Sequence, residues 1–188
     1  MAEPHGGDTP SPWVARFATL APPGGAVLDL ACGGGRHARL FRGLGHDVTA
    51  VDRDADALSA LAGDSGIETL RADLEDGSPW PAGERRFAAV VVANYLHRPL
   101  LPRIVAAVDD GGVLIYETFA AGNERFGRPR NPDFLLRPGE LLEAVRGTLR
   151  VVAFEDGQVE TPRPAAVQRI CAVRAPDPAA APPPLHGP

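Results

Sequence analysis

The chemistry-bearing residues of this sequence gather where an apolar run breaks into three glycines. The stretch reads Val27, Leu28, Asp29, Leu30, Ala31, Cys32, Gly33, Gly34, Gly35, Arg36, His37. A short apolar run after a turn fits a buried parallel strand. Glycine removes Cβ and allows positive φ, so a ligand can approach the backbone closely. The unsatisfied N–H groups of a helix starting at Arg36 attract an anion. Asp52 closes the next apolar run, where a carboxylate suits ribose hydroxyls. Together these residues mark a nucleoside-containing ligand at the carboxyl ends of parallel strands. Gly33, Gly35 and Ala38 also satisfy the dinucleotide spacing G-x-G-x-x-A, so NAD stays open on this motif alone.

Two more carboxylates and the chain length favour S-adenosylmethionine. Asp29 lies inside the motif, placed to organise a loop facing an ammonium-bearing ligand. Asp73 follows the third apolar run, placed either to accept from an adenine amino group or to cap a turn. A chain of 188 residues is about one domain, without the separate substrate domain that most dehydrogenases carry.

Acceptor-side candidates come later in the chain. After the fourth apolar run stand Asn94, Tyr95, Leu96, His97 and Arg98. Tyr95 would shape a pocket, and His97 would act as a base, orient the acceptor or merely start a helix. Tyr116 and Glu117 close the fifth run, with Tyr116 divided between core and site. The connection 119–133 is long, as lids often are, and carries Asn123, Arg125, Phe126, Arg128, Arg130 and Asn131. It is expected to cover the acceptor, with an arginine such as Arg125 contacting an anionic substrate. A soft nucleophile needs no base, whereas an alcohol or amine needs a proton removed. Most of the catalysis would then be positioning.

The elements that must hold these residues follow from periodicity and punctuation. Ser11-Pro12 reads as an N-cap with proline at the first helical position, ahead of Trp13, Phe17 and Leu20 at helical spacing. Strands are expected at 26–31, 47–51, 67–71, 87–93, 112–118, 149–155 and 166–174. Helices are expected at 36–44, 55–61, 100–108 and 138–145. Strands alternating with helices imply a parallel sheet covered on both faces. The last two strands have no helix between them and should pair antiparallel. The expected architecture is α/β: a Rossmann-like three-layer sandwich with a seven-stranded, mostly parallel sheet and one antiparallel strand. The folded domain should span 11–174, and the Pro/Ala-rich run 175–188 reads as a disordered tail.

Composition excludes several classes. The formal charge of −5 argues against a nucleic-acid partner. All 19 basic residues other than histidine are arginine, so neither a Schiff-base lysine nor a P-loop lysine exists. Cys32 and Cys171 do not form a disulfide framework or zinc spacing, and Cys32 reads as a small buried filler. The histidines are scattered, so no metal site is expected. No signal peptide or membrane-spanning run is visible, and a reducing cytoplasm is the expected location. Oligomeric state is left open.

The run from Asp29 to Arg36, with Asp52 and Asp73-Leu74, resembles the glycine-rich, ribose and adenine motifs of class I S-adenosylmethionine-dependent methyltransferases. Within that superfamily, Gly33-Gly34-Gly35-Arg36-His37, followed later by Phe134 through Leu141, is similar to the small tellurite-resistance type. The resemblance implies roles for single residues. Ala31, Gly33 and Gly35 would lie against the methionine part of the cofactor. Asp52 would hold the ribose, with Arg53 beside the adenine. Asp73 and the Leu74 backbone would read the adenine edge. Asn94 would help hold the methionine amino group, and Arg36 would meet the cofactor carboxylate. The implied reaction is methyl transfer to a small acceptor. The residues after the fourth strand lack the two prolines of the nucleic-acid amino-methyltransferase pattern. A non-catalytic cofactor-binding module would carry the same cofactor motifs.

Overall fold

The computed structural model describes residues 9–175. Residues 1–8, and 176–188 of the expected tail, lie outside the described residues. Helix α1 (Pro12–Phe17) starts where the sequence places it. The Ser11 hydroxyl accepts from the amides of Trp13 at 3.1 Å and Val14 at 3.4 Å, and Pro12 stands at the first turn.

The sheet contains β1 (Val27–Leu30), β2 (Val48–Asp52), β3 (Ile67–Arg71), β4 (Phe87–Ala93), β5 (Val108–Phe119), β6 (Arg150–Val159) and β7 (Ala165–Val173). Their spatial order is β3-β2-β1-β4-β5-β7-β6. The pairs β1–β2, β1–β4, β2–β3 and β4–β5 are parallel, whereas β7 runs antiparallel to both β5 and β6. This is the expected seven-stranded sheet with one reversed strand.

The interior alternates as a two-faced sheet requires. Leu28, Leu30, Val90, Val92, Leu114 and Tyr116 point to the face covered by α4 (Leu101–Ala106) and α5 (Glu140–Val145). Val27, Val91, Val113 and Ile115 point to the opposite face with Trp13, Phe17 and Phe41. That layer comprises α1, α2 (Arg36–Gly43) and α3 (Ala55–Ser59). All four residues of β1 are buried, as are six of the seven in β4.

Several boundaries differ from expectation. The helix expected through residue 108 stops at Ala106, and β5 begins at Val108. Arg174 captures this early start: its guanidinium donates to the Val108 carbonyl at 2.8 Å, and its carbonyl accepts from Gly111 N–H at 2.7 Å. Helix α3 ends at Ser59 rather than residue 61, giving way to turns. Strands β6 and β7 form a longer hairpin than expected, up to Val159 and from Ala165. Among the described residues, no helix is long and apolar enough to cross a membrane.

Candidate functional site

The order of the sheet reverses between β1 and β4: from β1 the chain moves outward through β2 and β3, then returns to β4 on the other side. Such a switch point leaves a crevice beyond the carboxyl ends of the strands. A cavity of about 340 Å³ lies there, within the ~300–1,000 Å³ usual for small-molecule pockets.

Each wall comes from one strand end. Ala31, Cys32, Gly33 and Gly34 follow β1, and Arg36 and His37 open α2. Asp52 and Arg53 end β2, Ala72 to Glu75 follow β3, and Ala93, Asn94 and Tyr95 end β4. The cavity thus joins Ala31, Gly33, Arg36, Asp52, Arg53, Asp73, Leu74, Asn94 and Tyr95 of the sequence-derived set. The two non-glycine residues with positive φ among the described residues, Ala31 at 52° and Asn94 at 57°, both line it. Backbone held in this region costs energy and clusters at functional sites.

The glycine turn is braced from inside the protein. Asp52 Oδ2 accepts from Gly33 N–H at 2.7 Å, and its Oδ1 accepts from Asp54 N–H at 2.9 Å. Gly35 N–H donates to the Cys32 carbonyl at 3.0 Å. The amides of Gly33 and Gly35 are therefore already spent within the turn. A Cβ on Gly33 or Gly34 would meet nothing within 4 Å, so their backbone faces open space. Gly35 does not line the cavity but caps α2 at φ 75°, and a Cβ there would lie 2.4 Å from Leu61 Cδ2. Changing Gly35 to Ala should cost about 2–3 kcal/mol, from left-handed strain plus overpacking against a buried leucine. Gly34→Ala, at a position without positive φ, should change stability by less than ~0.5 kcal/mol. Urea midpoints of the two variants check this contrast.

Asp29 sits beneath the turn rather than in the cavity wall. It is 1% exposed, and its Oδ2 is buried with no hydrogen-bond partner. Burial lifts its carboxyl to about 7, against the pull of the Ala38 amide and Arg36. The Tyr95 hydroxyl is the other buried side-chain polar atom without a partner among the described residues. Burial, together with Glu75 and Asp73, holds that phenol well above its usual range.

Three acceptor-side expectations meet a different placement. Tyr116 is fully buried, and its hydroxyl donates to the Tyr95 carbonyl at 2.9 Å. It supports the cavity wall from the core and does not reach the cavity. His97 precedes a 3-10 turn (Arg98–Leu100) and lies outside the lining. Arg125 is exposed on the 119–133 connection, also outside the lining.

That connection is a folded strap rather than an open loop. Buried Asn123 donates to the Pro129 carbonyl at 3.1 Å and accepts from Ala166 N–H at 3.2 Å. Beyond it, Arg98 holds the chain: Nη1 donates to the Asp133 carbonyl and Nη2 to the Leu135 carbonyl, both at 2.7 Å. Nε and Nη2 grip the Glu140 carboxylate at 2.7 and 3.0 Å. Arg98 thereby ties the segment after β4 to the end of the strap.

Sequence reasoning missed other contributors. His37 is buried, and its Nε2 accepts from Ser11 N–H at 3.1 Å; burial, aided by Arg36, pushes the imidazole down to about 3, so it stays neutral. Arg39 staples the turn from outside, donating to the Gly34 carbonyl at 2.8 Å and the Ala60 carbonyl at 2.6 Å. Cys32 faces the cavity, but burial and two nearby carboxylates push its thiol far up, so no thiolate is on offer. Both cysteines are free, and no cluster of metal-ligating side chains occurs among the described residues.

Residues 27–112 match the family model described as a methyltransferase domain. Over that stretch the chain is similar to a methyltransferase domain. Its fold is shared with TehB from Haemophilus influenzae, at 19% identity and a TM-score of 0.68 over 86% of this chain. The match spans only 61% of that protein's length. A TehB-like SAM-dependent methyltransferase from Corynebacterium glutamicum superposes with a TM-score of 0.60, at 21% identity over 86% of each chain. The glycopeptide N-methyltransferase MtfA, solved with S-adenosyl-L-homocysteine, gives a TM-score of 0.58 at 21% identity, over 86% of this chain and 89% of that one. No curated protein matches this chain significantly by sequence.

Proposed function

We propose that this methyltransferase moves the methyl group of S-adenosylmethionine to a small acceptor. The brace between Asp52 and Gly33 carries the choice of cofactor. A dinucleotide places its pyrophosphate on the amides of the glycine turn. Here the Gly33 amide is already bonded to a carboxylate, and the Asp29 carboxyl lies buried below with its Oδ2 unpartnered. Two carboxyl groups at that point disfavour a pyrophosphate and favour a ligand with positive charge.

The residues present fit S-adenosylmethionine. When bound, that cofactor supplies a methyl group on a positively charged sulfur, already activated for transfer. Asp52 keeps lone pairs for ribose hydroxyls, and Arg53 lies beside the adenine. Asp73 and Leu74 read the adenine edge. The side-chain-free face of Gly33 and Gly34 gives room for the methionine portion next to Ala31, with Gly35 shaping the turn from below. Asn94 faces the amino group and Arg36 the carboxylate. The closing titration compares S-adenosylhomocysteine with NAD by calorimetry. Binding of the first alone is expected; binding of NAD alone overturns the cofactor assignment.

The acceptor enters from the Tyr95 side. Tyr95 walls the cavity, His97 lies two residues beyond, and the strap presents Arg125, Arg128, Arg130 and exposed Phe126 and Phe134. This supply of guanidinium groups and aromatic surface suits a small anionic acceptor. The protein's part in transfer is to hold the acceptor in line and exclude water. Tyr95 keeps its proton and serves as a hydrogen-bond donor or a wall, not a base.

A further inference from the structure

Three consecutive glycines, Gly33 to Gly35, make a pliable turn, because glycine loses more backbone freedom on ordering than any other residue. The first two of them line the cavity. The turn is nonetheless gripped from two sides. From inside, Asp52 accepts from Gly33 N–H at 2.7 Å. From outside, Arg39 Nη1 donates to the Gly34 carbonyl at 2.8 Å. The N–H of that same peptide unit, on Gly35, donates to the Cys32 carbonyl at 3.0 Å. The peptide joining Gly34 to Gly35 is therefore pinned at both of its polar ends.

Arg39 stands in α2, one helical turn past the glycines, and is itself held from the far side. Nη2 donates to the Ala60 carbonyl at 2.6 Å, and Nε donates to Asp64 Oδ2 at 3.1 Å. The same turn after α3 brings Leu61 so close to Gly35 that no Cβ would fit between them. Residues 60–64 thus buttress the glycine turn, and one guanidinium joins the two. Its planar fork reaches two carbonyls and a carboxylate at once, which a lysine ammonium on a flexible stem does not reproduce. The ion pair with Asp64 is 44% and 40% exposed, so it contributes little stability by itself. Between the two grips, the Gly34 N–H bonds to no group among the described residues. Asp52, Asp73 and Leu74, which the cofactor reading gives to the nucleoside, make no hydrogen bond to Arg39.

We infer that Arg39 is a positioning residue for the amino-acid half of the cofactor: its hold on the Gly34 carbonyl fixes the backbone of the turn against which the methionine portion lies, and it leaves the adenosine half untouched. The inference rests on the S-adenosylmethionine reading and adds to it a residue outside the cavity that touches no ligand.

The test compares two ligands by calorimetry. S-adenosylhomocysteine carries both halves, whereas 5′-methylthioadenosine carries the nucleoside without the amino acid. In Arg39→Met, which keeps the aliphatic stem and loses the fork, affinity for S-adenosylhomocysteine should fall about tenfold or more. Affinity for 5′-methylthioadenosine should stay within about threefold of wild type. A role confined to stability would lower Tm and leave the ratio of the two affinities unchanged. Arg39→Lys, with the charge but not the fork, should recover only part of the loss, and it decides by the same ratio if Arg39→Met does not fold. Equal losses for both ligands, or none for either, overturn the inference while leaving the cofactor reading intact. Failure of 5′-methylthioadenosine to bind the wild type overturns it too, because the nucleoside half would then not seat independently of the turn. Absence of any S-adenosylhomocysteine binding to the wild type overturns both.

Discussion

Asp52→Ala is expected to weaken S-adenosylhomocysteine binding by about a hundredfold or more. Two losses combine. The carboxylate braces the glycine turn through Gly33 N–H at 2.7 Å and the start of α3 through Asp54 N–H at 2.9 Å. Hydrogen bonds to charged groups contribute ~1.5–3 kcal/mol each, so losing the brace alone approaches the 2.7 kcal/mol that corresponds to a hundredfold. In the proposed pose the ribose loses its acceptor as well. Asp52→Asn separates the terms: one amide oxygen can keep Gly33 or serve the ribose, but the charge is gone. Its affinity should fall between those of Ala and wild type. The measurement is calorimetric Kd, with circular dichroism confirming the fold. Wild-type affinity in Asp52→Ala would place the nucleoside somewhere else.

Arg98→Ala should be strongly destabilising, by about 3 kcal/mol, because it strands a buried anion. The Glu140 side chain is 8% exposed and Arg98 about 30%, so water compensates little. Arg98 and the Arg137 amide hold the Glu140 carboxyl down at about 2, with burial opposing them. Without Arg98, the exposed Arg137 remains as the partner, at 3.3 Å. A loss of this size lowers Tm by roughly 6–12 °C in a domain this long. The double variant Arg98→Met/Glu140→Leu should recover much of it, since a packed apolar pair avoids the stranded charge. The network also sets an acid limit. Its contribution is complete above the usual Glu value of 4.5 and disappears as pH falls toward about 2. Denaturation of wild type and Glu140→Gln should therefore differ at pH 7 and converge near pH 2. Hydrogen exchange in 120–136 should quicken in Arg98→Ala beyond what global stability accounts for. No such quickening would mean that Arg98 does not tether the strap.

The layered fold could be read from the sequence because its signals are local. Val27 to Leu30 and Phe87 to Ala93 are too apolar for an exposed strand, and glycines and prolines mark most turns. The residues that line the cavity were legible for the same reason: Gly33, Asp52, Asp73 and Asn94 lie at strand ends, and a parallel sheet brings its strand ends together. The acceptor side was harder. Alternation along β5 puts Tyr116 on one face or the other, but the sequence does not say which face meets the cavity. The answer depends on its bond to Tyr95, 21 positions away. The partnership of Arg98 with Glu140 spans 42 positions, and that of His37 with Ser11 spans 26. Nothing in a local window signals either. The strap was legible as a long connection, but its anchoring through Asn123 to Ala166 was not.

The seam between β1 and β4 has a thermodynamic consequence. One half of the sheet, through β2 and β3, contributes Asp52 and Asp73; the other, from β4 onward, contributes Asn94 and Tyr95. A guest seated across the seam belongs to neither half alone, so unfolding of either must first expel it. At a free concentration of a hundred times Kd, such a guest adds ~2.7 kcal/mol to the barrier-free equilibrium of both halves together. Occupancy thus couples the two halves into a more cooperative unit, and cellular turnover of the protein becomes responsive to how much cofactor is in supply.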